Sequence, residues 1–440
     1  MAKAKKKESL TPEERLQAAL VPESEQPYPV PANWCWTRIG DILRLQAGKN
    51  ISASKISKNR SQEASFPCFG GNGVRGYVER YNHDGEFPII GRQGALCGNV
   101  NWASGKFYAT EHAVVVECSS IISKRWAYRI LFSMNLNQYA TATAQPGLSV
   151  AVINQVPIAL PPAQEQQRIV DRIESLFAKL DEAKQKAQDA LDSFETRKAA
   201  VLHKAFTGEL TAQWRKEHGV GMESWDYPQF EDCILKMQNG LSKRSGNSGV
   251  PFVVLRLANL SDDGFVTDDL REILLNEKEQ KNYSLRANDV LMIRVNGSKD
   301  NVGKQFLFYG ELKWAFCDHI IRITYKTNLS PKYMVYFSKT NAYRRYIEDN
   351  MVSSAGQNTI SRKGMASLII PLPLMNEQAE IVRILDDLLA KEQQAKEAAE
   401  GVLEQIDLMK KAILARAFRG ELGTNDPREE SAVELLKQVL

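Results

Sequence analysis

The side chains of this chain that could do chemistry are basic and amide groups set among glycines, and the chemistry that suits them is binding. Residues 49 to 80 carry Lys49, Lys55, Lys58, Arg60, Arg75 and Arg80 against Glu63 and Glu79, while GGNG starts at Gly70 and GRQG at Gly91. Such a cluster can face a polyanion or can simply be a solvated loop. Both glycine strings fall short of a dinucleotide fingerprint and lie between strand-like segments, so they read as turns. Motifs for catalysis do not appear. There is no Gly-x-x-x-x-Gly-Lys-Ser/Thr phosphate loop, and no Asn or Asp followed by Pro-Pro and an aromatic residue to hold an extruded adenine. The six cysteines form no C-x-x-C pair and the five histidines are scattered, so no metal site is assigned.

The elements that must position these groups announce themselves by repetition. PPAQEQQRIVDRIESLFAKLDEAKQ from Pro161 returns as PLMNEQAEIVRILDDLLAKEQQAKE from Pro373, and AFTGEL from Ala205 returns as AFRGEL from Ala417. Glu165 to Glu377 and Phe206 to Phe418 are each 212 residues apart, so the spacing holds without a gap. In the first copy, Ile169, Ile173, Leu176, Leu180, Ala183, Ala187, Ala190, Phe194, Val201 and Ala205 step by three and four, with Lys198 interrupting. The second copy has Ile381, Leu385, Leu388, Ala395, Ala399, Val402, Ile406, Ile413 and Ala417, interrupted by Glu392 and Lys410. This is the seam of a coiled coil. Each copy predicts a helical rod of roughly 66 Å, with Pro161 and Pro373 barring extension backward and Gly208 and Gly420 fitting the far ends. An antiparallel pairing would create an approximate twofold axis, whereas a parallel one would set the globules side by side.

Two globules flank the helices. Thr11, Pro12 and Glu14 form a capping-box pattern that predicts a short helix over residues 12 to 20. FPCFGGNGVRGYV, EFPIIGRQGALCGNV and FYATEHAVVVEC read as strands with turns, followed by a helix in WAYRILFSMNLNQYA. PFVVLRLANL, DVLMIRVNG, FLFYG and HIIRITY repeat the plan in other words, and SPKYMVYFSKTNAYRRYIED reads as one helix. Its Tyr333, Tyr336, Tyr343 and Tyr346 are read as packing residues, not as a base-stacking platform. The frameworks also echo each other: TRIGDILRLQAGK resembles PQFEDCILKMQNG, and TAQPGLSV resembles AGQNTIS. Their interiors differ, as two copies of one module with two specificities would, although drift after duplication gives the same contrast. Formal net charge of +4 over 440 residues permits a polyanionic partner without requiring one, and 43% hydrophobic content describes an ordered chain. The basic start MAKAKKKE is followed by polar sequence, and no apolar run reaches transmembrane length, so the expectation is a cytoplasmic protein with no membrane partner.

PANWCWTRIGDI, the IALPPAQEQ and IIPLPLMNEQ segments, KAAVLHKAFTGELTAQWR, KKAILARAFRGEL and the order globule, helix, globule, helix together resemble the DNA-specificity subunits of type I restriction-modification enzymes, over essentially the whole chain. The resemblance implies a mixed α/β (α+β) fold of two DNA-target-recognition domains joined by two long antiparallel coiled-coil helices with pseudo-twofold symmetry. Its expected divisions are an N-terminal segment at 1–29, a target-recognition domain at 30–160, a central helix at 161–210 and a linker at 211–224. A second target-recognition domain follows at 225–371, then a C-terminal helix at 372–422 and a tail at 423–440. It further implies double-stranded DNA, two modification (methyltransferase) subunits and up to two restriction (motor-nuclease) subunits as partners. No cofactor is expected in this subunit; S-adenosylmethionine, ATP and Mg2+ belong to the partners. Adenine-N6 methylation and ATP-dependent cleavage would be activities of the assembly, and this chain would be noncatalytic.

A globule reading a short duplex half-site uses backbone contacts for register and planar side chains for base edges: arginine for guanine, asparagine or glutamine for adenine. The candidates in the first globule are Arg75, Arg92, Gln93, Lys106 and His112. In the second they are Arg256, Arg294 and Asn296, with Lys299 and Lys304 for phosphates. Neighbouring glycines would admit close backbone approach. Gln145 and Gln357 recur in both frameworks and are read as framework or phosphate contacts. A noncatalytic coiled-coil scaffold that binds proteins is the competing reading; it accounts for the rods but not for the Gly/Arg/Asn-rich turns. An enzyme carrying its own nuclease is disfavoured by the missing motor and nuclease motifs.

Overall fold

The computed structural model describes residues 11–141, 146–246, 248–261, 264–310 and 313–440. The chain divides into two units, Met1–Ala187 with Gly401–Leu440, and Gln188–Glu400. Each unit thus holds one globule together with the beginning of one long helix and the end of the other.

In the first unit a four-stranded antiparallel sheet runs in the order Leu43–Ala47, Ala113–Cys118, Phe87–Gly91, Val100–Ala103. Ala113 and the β-branched run Val114–Val116 are buried throughout, as suits a central strand covered on both faces. A second sheet orders Gly73–Val78, Phe66–Gly70, Lys106–Ala109 and His83–Asp84, and its middle pair is parallel. The second unit repeats the topology. Ile234–Asn239, Ile320–Tyr325, Val290–Ile293 and Gln305–Leu307 form the antiparallel sheet, while Val250–Leu255 pairs in parallel with Trp314–Phe316 and antiparallel with Arg271–Leu275. It adds a small sheet of Val295–Asn296, Gln357–Thr359 and Val352–Ser354.

The repeated Glu-Gln pair is the joint between helix and globule. In the first unit, buried Glu165 accepts from Trp34 Nε1 at 2.7 Å, Asn425 Nδ2 at 2.8 Å and Thr424 Oγ1 at 3.1 Å. Gln166 accepts the Ser123 N–H at 2.8 Å, at the N-cap of the Lys124–Ser133 helix. In the second unit, buried Glu377 accepts from Trp225 Nε1 at 3.0 Å, Thr211 Oγ1 at 2.6 Å and Arg215. Gln378 accepts the Ser330 N–H at 2.8 Å, at the N-cap of the Pro331–Phe337 helix. Burying a carboxylate and an amide is tolerable only with this degree of satisfaction, so the dipeptide fixes the helix start against its globule.

Within each unit the two helices run antiparallel. Lys410 pairs with Asp181 in the first, and Arg197 pairs with Glu392 at 2.9 Å in the second. The polar residues Glu392 and Lys410 that interrupt the seam are therefore its interhelical ion pairs. Ile169, Ile173, Ile406, Leu414 and Ala417 are buried in the first unit, and Leu202, Ala205, Ile381 and Leu385 in the second. Val402, read as a seam residue, is instead 43% exposed.

Two sequence expectations change. The first rod is not continuous but comprises Ala163–Asp192 and Phe194–Phe206, whereas the second runs unbroken over Met375–Ala417. At the break the Ala190 carbonyl accepts from Ser193 Oγ at 3.0 Å and Arg197 NH1 at 3.2 Å, and these side-chain donors compete with the backbone ladder. Likewise the segment read as one helix after Ser330 is two, Pro331–Phe337 and Asn341–Asn350, because Thr340 caps the second at the Tyr343 N–H. Tyr333 and Tyr343 are buried and donate to the carbonyls of Pro371 and Gly303, at 2.6 and 2.7 Å.

Candidate nucleic-acid interface

In the first unit, strand Phe87–Gly91 delivers Arg92 and Gln93 to a junction of three loops. The Arg92 N–H donates to the His112 carbonyl at 3.0 Å, and the Arg92 carbonyl accepts from Leu148 N–H at 2.9 Å. The Gly94 N–H donates to the Pro146 carbonyl at 3.0 Å. Glycine is required here by contact: a Cβ on Gly91 would sit 1.7 Å from the Gly71 carbonyl oxygen. The result is a cavity of about 350 Å³ lined by Gly70, Gly71, Arg75, Gln93, Gly94, His112, Pro146 and Gly147. It brings together Arg75, Gln93 and His112, with Arg92 at its edge. A larger cavity in this unit, about 590 Å³ beside the helix start at Ala163, contains none of these candidates.

The electrostatics of the cavity wall are mixed. His112 Nε2 lies 3.2 Å from Glu111 Oε1. Burial pushes the nearby Cys68 thiol up to about 11, opposed by the Arg75 charge and reinforced by Glu111. Arg92 Nε, Glu111 Oε2 and His112 Nδ1 are buried without a hydrogen-bond partner among the described residues. An orphaned buried polar atom costs about 1–3 kcal/mol, so three in one place call for a function. Lys106 is not in this cluster; its ammonium lies 4.8 Å from the centre of the Tyr81 ring. Gln145 falls outside the described residues.

The second unit builds the same junction from other residues. The Arg294 N–H donates to the His319 carbonyl at 2.8 Å, and the Arg294 carbonyl accepts from Ile360 N–H at 3.0 Å. The Asn296 carboxamide oxygen accepts the Ser298 N–H at 2.8 Å, which commits one of its acceptor sites to the turn. Asn358 beside Gln357 donates to the Gly297 carbonyl at 2.9 Å, so Asn296 and Gln357 share the small sheet, with Arg294 immediately before its Val295–Asn296 strand. Lys299 opens the following turn, and Arg344 fixes that turn through the carbonyls of Lys299, Asp300 and Val302. Lys304 is half-buried, its carbonyl accepting from Ile293 N–H at 3.0 Å. Arg256 is committed elsewhere, donating to the Asp269 carboxylate at 2.7 Å and carbonyl at 2.6 Å.

Sequence reasoning passed over Glu111, Asp318, His319 and Arg244. His319 Nδ1 lies 3.3 Å and Arg244 NH1 3.4 Å from Asp318 Oδ1. The signal was short: Glu-His before the Ala113–Cys118 strand and Asp-His before Ile320–Tyr325. Cys317, Asp318 and His319 bring their donor atoms within 4.8 Å of one another, a spacing a soft cation could use. The first unit has Thr110 where this one has Cys317, so the acid and histidine are the shared part, and Arg244 already offsets the Asp318 charge. Burial raises the Cys317 thiol above its ordinary range.

Comparison with known proteins agrees with this architecture. Over residues 31–191 and 258–401 the chain matches the family described as type I restriction modification DNA specificity domain. It is 34% identical over 276 residues to the type I restriction enzyme StySPI specificity subunit of Salmonella potsdam, covering 62% of this chain and 59% of that protein. It is 48% identical over 141 residues to the EcoprrI specificity subunit of Escherichia coli, covering 31% and 35%. The matched regions thus span less than two thirds of the length of these relatives. The crystal structure of the HsdS subunit from Thermoanaerobacter tengcongensis shares the fold, with a TM-score of 0.57 at 18% identity over 90% of this chain and 100% of that one. A match over most of the chain, joined to two globules of one topology on paired long helices, settles the lineage: this protein belongs to the type I restriction modification DNA specificity domain family.

Proposed function

We propose that the chain is the DNA-sequence-specificity subunit of a type I restriction-modification system, reading a bipartite, asymmetric duplex target with one half-site for each unit. The observation that carries this reading is the junction built twice, around Arg92 and Arg294, on one backbone plan with different side chains around it. Arginine beside glycine turns suits guanine edges, and the differing surroundings suit two different half-sites. The paired helices act as the ruler that fixes the unread gap. The chain holds two modification subunits and up to two restriction subunits, and methylation and cleavage, with S-adenosylmethionine, ATP and Mg2+, belong to them. This chain contributes no bond-making step. No described helix is long and apolar enough to cross a membrane, which suits the cytoplasmic setting we assign.

The test is genome-wide mapping of N6-methyladenine after co-expression with the modification subunit encoded beside it. One asymmetric motif with a fixed unread gap is expected. An assembled, active complex that methylates without such a motif would overturn the reading.

A further inference from the structure

The junction described above contains a residue type that a DNA-facing surface has reason to avoid. Each unit sets a carboxylate next to the histidine whose carbonyl receives the reading arginine's N–H: Glu111 beside His112, and Asp318 beside His319. Near phosphates a carboxylate is repelled, so its presence at the same place in two otherwise different junctions calls for a task that an acid performs. Nine buried side-chain polar atoms lack a hydrogen-bond partner among the described residues. Three of them, Arg92 Nε, Glu111 Oε2 and His112 Nδ1, belong to the first junction, and a fourth, Asp318 Oδ1 in the second, has ion-pair contacts alone, at 3.3 Å to His319 Nδ1 and 3.4 Å to Arg244 NH1. The acid side chains are about a third exposed, at 34% for Glu111 and 32% for Asp318. In Glu111, whose ion pair to His112 uses Oε1, a turn about the broad terminal carboxylate torsion brings the hidden Oε2 toward the surface.

Resting on the specificity-subunit reading, we propose that Glu111 and Asp318 are specificity-determining residues. Each selects an exocyclic amino group, cytosine N4 or adenine N6, in the major groove beside the base read by Arg92 or Arg294. An ionised carboxylate only accepts hydrogen bonds, so it welcomes the amino group and rejects guanine O6 and thymine O4. His112 and His319 are positioning residues. Through the side chain each lies within 3.3 Å of a carboxylate oxygen, and through the backbone each fixes the arginine, so acid and arginine address neighbouring base edges as one unit. In the second unit Arg244 offsets the charge of the acid at 3.4 Å.

The amide isosteres separate this role from a structural one, because Gln and Asn retain an acceptor and add a donor. Glu111→Gln and Asp318→Asn, each in the full chain co-expressed with the modification subunit, are compared with wild type by N6-methyladenine mapping and thermal melting. Glu111→Gln is expected to broaden one position of one half-site so that keto bases are also accepted, with discrimination falling roughly 5- to 150-fold there. Asp318→Asn is expected to do the same in the other half-site only. Methylation of the wild-type motif at undiminished stringency would overturn the proposal. So would a uniform loss across all sites in an assembled complex, because that pattern marks a structural role. If wild type itself produces no bipartite motif, the specificity-subunit reading fails first and this proposal falls with it.

Discussion

Arg215 offers the sharpest physical test of how helix and globule are joined. Its side chain is 8% exposed against a fully buried Glu377, and it also donates to Thr211 Oγ1 at 3.0 Å and to the Gly208 carbonyl at 2.5 Å. Arg215→Met keeps an apolar stem and removes the charge, which leaves the Glu377 carboxylate buried with only Thr211 and Trp225 as donors. Breaking a buried pair from one side costs about 3–5 kcal/mol. In a unit of this size that lowers the melting temperature by about 6–20 °C. The assay is scanning calorimetry, because two units need not melt in one transition. The control is Arg168→Met in the first unit. Arg168 pairs with Glu429 through two bonds of 2.7 Å, but the side chains are 38% and 17% exposed. Because Arg168 stays partly in solvent, its removal, which also loses a bond to the Thr424 carbonyl at 2.9 Å, should cost less than stranding the fully buried Glu377. The double variant Arg215→Met/Glu377→Gln should recover most of the loss, since the stranded charge is gone. Equal shifts for the two single variants, or no recovery in the double, would refute the argument.

Three further outcomes follow from the same structure. Burial pushes the Cys35 and Cys118 thiols up to about 12 and those of Cys68 and Cys233 up to about 11. These groups stay protonated at pH 8, so Ellman's reagent should release their equivalents only on unfolding; fast labelling of the native protein would contradict that. Inserting about one helical turn, roughly four residues, into either long helix should change the unread gap in the methylated motif or abolish methylation, and an unchanged gap would remove the ruler. Lys299→Ala should weaken DNA binding by the assembled complex similarly on all targets and reduce the slope of log K against log salt by about 1; a change in sequence preference instead would assign Lys299 to base reading.

The sequence revealed most where a signal was long and least where it depended on a distant side chain. Hydrophobic spacing and a gapless repeat identified the helices because both are properties of one segment. The break at Ser193 depends on Ser193 Oγ and Arg197 competing for the Ala190 carbonyl, and the seam pattern does not register that competition. Glu165-Gln166 and Glu377-Gln378 were visible as a repeat, but their purpose appears only when Trp34 and Trp225 arrive from more than a hundred residues away. At the interface, Arg75, Gln93 and His112 were picked by residue type and neighbouring glycines, and the fold brings them to one cavity. Arg256 had the same credentials yet is tied to Asp269, a partner no local pattern discloses. Glu111 and Asp318 were passed over because an acid is an unexpected choice for a site proposed to face DNA, and the dipeptides align only once the strands behind them are superposed by topology.

The central claim is that two independent readers share one chain, and the most direct measurement is N6-methyladenine mapping of Arg92→Ala and Arg294→Ala beside wild type, each co-expressed with the modification subunit. The account predicts that Arg92→Ala degrades one half of the motif and Arg294→Ala the other, with the unread gap unchanged in both. If either substitution blurs both halves, or neither alters the motif, the two-reader account is wrong.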